Sequence, residues 1–177
     1  MTTKKLSVTA MGIALYVVLA LCLQVPVFEN YYLCLGYVSM MVFCYYFGIF
    51  SGMTVGSIGV VIYCVLINGL RGMPGWAVGN LVIGLGVGLA CRLTHTMEKQ
   101  WLRHLLIALA IVISTAVGIL GVKSVVEMLL YAQPMVVRIA KNVYAFVADV
   151  VVLMVSLPIC VSLNGIIRKL FPREIMV

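Results

Sequence analysis

The chain has 177 residues, 64% of them hydrophobic and 10% charged, with a formal net charge of +7 and a mean hydropathy of +1.21. A water-soluble domain of this length cannot bury that much apolar surface, so the composition specifies one integral membrane domain over residues 1–177. The cations sit in short segments between apolar runs rather than on one face, which excludes a nucleic-acid-binding surface.

Taken in order, Lys4 and Lys5 lead into a first apolar run at residues 6–25. This start resembles a secretory signal, but Ala20-Leu-Cys-Leu-Gln24 lacks a small-x-small cleavage site and more spans follow. The run is therefore expected to be a retained first helix. Pro26 ends it. Further spans are expected at 32–50, 52–67, 75–93, 105–122 and 135–163, with a short break near Ser51 that makes the second and third an antiparallel hairpin. Residues 123–133 are amphipathic and read as a short surface helix before the last span. The fold class is thus an all-α membrane protein, a bundle of six transmembrane helices.

Orientation follows from the lysines and arginines. With both termini inside, Lys4, Lys5, Arg92, Lys99, Arg103, Arg168, Lys169 and Arg173 lie inside, and Arg71, Lys123, Arg138 and Lys141 lie outside. The bias favours an N-in, C-in chain.

The most polar point in the middle of the chain is Asn68-Gly-Leu-Arg-Gly-Met-Pro-Gly-Trp-Ala-Val-Gly-Asn80. Its glycines open backbone conformations closed to other residues, and Pro74 stops one helix or starts the next. Arg71 suits anions and carbonyls, Trp76 offers a flat face and one N–H, and Asn68 and Asn80 each donate and accept. That composition fits the mouth of a site for a small polar ligand. It also fits an ordinary interhelical turn with Trp76 in the interfacial aromatic belt.

Within the last span, Asp149 is a carboxyl group at membrane depth, which marks a functional site or a bridge to a neighbouring helix through Tyr or Asn donors. Arg138, Lys141 or Asn142, Ala145 and Asp149 fall along one helical stripe. Gln24, Asn68, Asn80 and Asn142 all lie near the outer ends of their spans and, with Arg71 and Trp76, are expected to ring one outward-facing cavity.

Gly36 through Gly88 hold twelve of the sixteen glycines. The pairs Gly52/Gly56, Gly75/Gly79 and Gly84/Gly88 are spaced for close helix approach inside the bundle. Ala10 and Ala14 form a similar small-residue pair on the first span, either internal or a dock for a partner helix. The six cysteines are scattered, without C-x-x-C or a neighbouring histidine, so neither a disulfide framework nor a metal site is expected. There is no nucleotide-binding G-x-x-x-x-G-K-[ST] and no H-E-x-x-H. Gly56-Ser57-Ile58-Gly59 has the wrong glycine spacing for an intramembrane serine protease, and no span carries a histidine base. No inverted repeat is evident. Neither an enzymatic activity nor a cofactor is expected.

Three stretches together resemble the substrate-binding S components of energy-coupling factor (ECF) vitamin transporters. They are the basic start leading into Thr9-Ala-Met-Gly-Ile-Ala-Leu15, the glycine-rich middle from Tyr45-Tyr-Phe-Gly-Ile-Phe-Ser-Gly52 to Asn80, and Lys141-Asn-Val-Tyr-Ala-Phe-Val-Ala-Asp149 leading to Ser156-Leu-Pro158. The resemblance implies six helices and high-affinity capture of a vitamin or related heterocycle from outside, without catalysis. It implies a loop over the site, here about residues 25–33, and a bacterial plasma-membrane location. It also implies partners, a transmembrane coupling subunit and two ATPases that supply ATP hydrolysis, with Ala10 and Ala14 as the docking face. Asn68, Arg71, Trp76, Asn80, Lys141, Asn142 and Asp149 are the expected ligand-binding residues, and no substrate-specific signature is read. The alternative is a structural or assembly membrane protein whose polar groups only pack helices.

Overall fold

The computed structural model describes residues 3–22, 24–28, 31–67 and 69–171. Helix α1 (Thr3–Cys22) is followed by a two-stranded antiparallel hairpin, β1 (Gln24–Phe28) and β2 (Tyr31–Cys34), with Gln24 opposite Cys34 and an irregularity between Pro26 and Phe28. Helices α2 (Gly36–Tyr46), α3 (Ile49–Leu66) and α4 (Met73–Leu93) come next. Helix α5 (Gln100–Thr115) runs through a π-helical segment (Ala116–Lys123) into α6 (Ser124–Tyr131), and α7 (Met135–Leu170) closes the order. The protein is helical where it is apolar, and five of these helical stretches are long and apolar enough to cross a membrane.

The second span departs from expectation. Residues 31–34 are strand, and the helix that follows has 11 residues. At 1.5 Å per residue it rises only about 16 Å, short of the ~30 Å hydrocarbon layer. It ends because Gly48 adopts φ 91°, a left-handed conformation that glycine tolerates without a Cβ clash. The break therefore falls at Gly48 rather than near Ser51. Helix α2 lies in the interior, with Tyr37, Met40, Met41, Phe43 and Cys44 all buried.

The segment after the fifth span also differs from the reading of a separate surface helix. Residues 100–131 are one continuous helical stretch of 32 residues. Lys123, Ser124 and Glu127 are buried against the bundle. A π segment carries one extra residue per turn, which turns the following side chains to a new face.

Close packing explains the glycine-rich middle. A Cβ built on Gly84 would lie 2.7 Å from the Met53 backbone, and one on Gly88 would lie 2.8 Å from Ile49 Cα. Side chains there would push α3 and α4 apart; without them the helices gain the dispersion contacts that hold membrane bundles together. On α1 the two faces differ: Thr9, Gly12 and Tyr16 are buried, while Ala10 and Ala14 are exposed. All six cysteines are free thiols, Cys22 exposed and the others buried.

Helix α7 has 36 residues, about 54 Å long and well beyond the hydrocarbon thickness. Lys141 and Arg168 bracket its apolar middle, which Asp149 alone interrupts with a charge-bearing side chain.

Candidate functional site

A cavity of about 700 Å³ opens where β2, the turn before α4 and the turn between α6 and α7 meet. Its volume falls within the ~300–1,000 Å³ typical of small-molecule sites. One wall comes from α7, whose Arg138, Lys141, Ala145 and Asp149 follow the expected stripe. The opposite wall is Tyr63 and Cys64 of α3 with Trp76 of α4. Lys123, Glu127 and Tyr131 complete it from the π segment and α6, and Ala20, Leu33 and Cys34 close it from α1 and β2.

Four of the sequence-predicted residues therefore line one space: Arg71, Trp76, Lys141 and Asp149. Asn80 and Asn142 stand behind it, both fully buried. Asn142 Nδ2 donates to Ser124 Oγ at 3.0 Å and to Glu127 Oε2 at 3.2 Å, fixing the carboxylate that the cavity sees. Asn80 acts in the same indirect way, through Tyr37. Asn68 lies outside the described residues, as does the side chain of Gln24.

Charge is unevenly distributed. Arg71, Lys123, Arg138 and Lys141 face the cavity with Glu127 and Asp149. Among the described residues the one ion pair is Arg138 Nη1 to Glu127 Oε2, at 3.5 Å. Cations instead approach aromatic rings. The Arg71 and Arg138 guanidinium carbons lie 5.2 and 5.3 Å from the Tyr131 ring centroid, and Lys123 Nζ lies 5.9 Å from that of Trp76. The Tyr131 hydroxyl donates to the Arg71 carbonyl and ties the turn before α4 to α6. Trp76 is set edge-on to Tyr63, with centroids 5.8 Å apart. Such a wall offers flat π surface with positive charge beside it, a good match for a planar, electron-rich ring bearing carbonyl or anionic oxygens.

At the floor a buried hydroxyl gathers several partners. Trp76 Nε1–H donates to Tyr37 Oη at 2.8 Å, and Tyr37 Oη stands 2.8 Å from Asn80 Oδ1 and 2.9 Å from Asp149 Oδ2. Asn80 Nδ2 donates in turn to the Gly56 carbonyl at 3.0 Å and to Tyr16 Oη at 3.3 Å. Tyr16 Oη lies 3.5 Å from Cys34 Sγ. These contacts lock Asp149 and Trp76, the two polar floor groups, to α1, α2, α3 and β2.

Reasoning from sequence did not name Tyr37, Glu127 or Tyr131 as site residues, and it placed Lys123 only among the outer cations. Tyr37 sits in an aromatic run with no helical period to single it out. For the others a signal existed: Lys123, Glu127 and Tyr131 are spaced i, i+4 and i+8, so on a helix they share one face.

No curated protein sequence matches the chain. The family model for the S component of ECF-type riboflavin transporters matches residues 1–164. That covers every residue lining the cavity and nearly all of the chain, in agreement with the membrane-spanning helices and the polar cavity. The chain belongs to the family of ECF-type riboflavin transporter S components.

Proposed function

We propose that this cavity binds riboflavin, or a flavin close to it, from the outer side of the membrane, and that the chain passes it to an ATP-driven coupling complex. The observation that carries the reading is the composition of one cavity. Trp76, Tyr63 and Tyr131 offer flat apolar faces, while Arg71, Lys123 and Lys141 have no carboxylate within ion-pair distance among the described residues. Riboflavin is a planar tricyclic ring with two carbonyl oxygens and a polyhydroxyl chain, so it needs both. Aromatic faces bury the ring and unpaired donors meet its oxygens. The ligand-binding residues are then Arg71, Trp76, Lys141 and Asp149 directly, with Asn80 and Asn142 as positioning residues; Asn68 adjoins the same turn.

The N-in, C-in orientation suits this reading, since it places the cavity mouth outside and the basic termini inside. Leu33 and Cys34 of β2 line the cavity, which suits a cap formed by the loop at about residues 25–33. Ala10 and Ala14 sit on the exposed face of α1, where small side chains allow a coupling helix to approach closely. The ATPases belong to that partner complex. Titration calorimetry of the detergent-purified chain tests the reading: saturable binding of riboflavin with one site per chain, and none of thiamine or biotin, is the expected result. Tighter binding of thiamine or biotin than of riboflavin would overturn it.

A further inference from the structure

The hydrogen-bond network beneath the cavity can be counted, and the count determines where its protons lie. Asn80 Nδ2 faces the Gly56 carbonyl at 3.0 Å. A carbonyl only accepts, so the amide nitrogen must be on that side and Asn80 Oδ1 must face Tyr37. Tyr37 Oη and Asn80 Oδ1 are 2.8 Å apart. Two oxygens at that distance require a proton between them, and Asn80 Oδ1 has none, so the Tyr37 proton is committed there. One Tyr37 lone pair is taken by Trp76 N–H at 2.8 Å. The remaining neighbour, Asp149 Oδ2 at 2.9 Å, is thus left facing an oxygen with no proton to give.

We propose that Asp149 is a neutral acid that donates its own proton to Tyr37 and presents its carbonyl oxygen, Oδ1, to the cavity as a hydrogen-bond acceptor. Each donor then meets one acceptor along the whole chain. Trp76 and Asp149 donate to Tyr37, Tyr37 donates to Asn80, Asn80 donates to Gly56 and Tyr16, and Tyr16 donates to Cys34 Sγ. An ionised Asp149 would instead take the Tyr37 proton and leave two bare oxygens 2.8 Å apart in a fully buried place. The groups nearest Asp149, Tyr16, Cys34, Tyr37, Trp76 and Asn80, are neutral; Lys123, on the neighbouring wall, favours the carboxylate by its charge but makes no ion pair with it. Asp149 Oδ1 has no partner among the described residues, and the residue lines the cavity.

Asp149 is then a specificity-determining group and not a counter-charge: it selects a ligand that offers an N–H or O–H at that point and gives no advantage to a cationic ligand. Tyr37 and Asn80 are positioning residues that hold its proton in place. The part that concerns a flavin rests on the proposed function; the protonation does not.

Asp149 is the single aspartate of the chain, so carboxyl-¹³C-aspartate labels it alone. Isotope-edited infrared spectra of the unliganded protein at neutral pH should show the C=O stretch of a protonated carboxyl group shifting with the label. An ionised-carboxylate signature in that spectrum overturns the proposal. Tyr37→Phe, which removes the acceptor of the Asp149 proton, should shift the labelled C=O stretch and weaken riboflavin binding several-fold, and an unmoved stretch would overturn the donation to Tyr37. If the wild-type chain bound no riboflavin, the flavin reading would fail while the infrared result still decided the state of Asp149.

Discussion

Gly79 of α4 and Gly118 of the π segment lie back to back. A Cβ on Gly79 would stand 2.9 Å from the Gly118 carbonyl oxygen, and one on Gly118 would stand 2.7 Å from the Gly79 carbonyl oxygen. This contact seats the π segment on α4 and aims Lys123 and Glu127 at the space beside Trp76. Gly118→Leu should therefore destabilise the protein by about 1–3 kcal/mol through overpacking and weaken ligand binding with it. Gly121, whose Cβ would meet nothing within 4 Å, is the control: Gly121→Ala should leave both unchanged. Thermal unfolding in detergent, with and without riboflavin, measures the pair.

Glu127 is held by two donors, Arg138 at 3.5 Å and Asn142 at 3.2 Å. Removing it leaves a half-buried guanidinium without its carboxylate. Glu127→Ala should cost about 1–3 kcal/mol of stability, and Glu127→Gln less, because the amide oxygen still accepts from Asn142. Equal unfolding temperatures for the two variants would show that the Asn142 contact contributes nothing.

Ala132, which ends α6, has φ 49° and ψ 34°, a left-handed conformation that a Cβ disfavours. Ala132→Gly removes that clash and should stabilise the protein by up to about 1 kcal/mol, with ligand affinity unaltered. A lower unfolding temperature would mean that the loss of unfolded-chain restriction outweighs the relief of strain.

On α1, Ala10→Trp or Ala14→Trp should abolish riboflavin uptake in cells carrying the coupling complex, while the purified variant binds riboflavin as before. Both alanines are exposed, on the side of the helix away from Gly12, where a Cβ would meet the Phe43 ring at 2.5 Å. A bulky side chain there holds a partner helix off and forfeits its dispersion contacts. Coprecipitation of the variant with the coupling subunit and ATPases, together with unchanged transport, would assign Ala10 and Ala14 no docking role.

The sequence was most informative where a single physical requirement dominates. Long apolar runs had to become helices in a bilayer, and the α7 stripe from Arg138 to Asp149 follows from helical period alone. It was least informative where partners come from distant segments. Tyr37 owes its place beside Asp149 to an approach across 112 positions, which no local pattern encodes. The shortened α2 hides in a run whose hydropathy is that of a full span, and only the left-handed Gly48 divides it. The π segment has no local period of its own, so the amphipathic residues after it read as a surface helix although their polar face lines the cavity.

In this reading the flavin occupies the cavity above Trp76 and Asp149. Ala145 lines that space from α7, where a large side chain would occupy it. The most direct test is a titration of riboflavin fluorescence with the purified wild-type chain and with Ala145→Trp, alongside the thermal unfolding of each. Saturable quenching by the wild type and none by a folded Ala145→Trp is the expected result. Undiminished quenching by the folded variant would place the flavin elsewhere and contradict this reading.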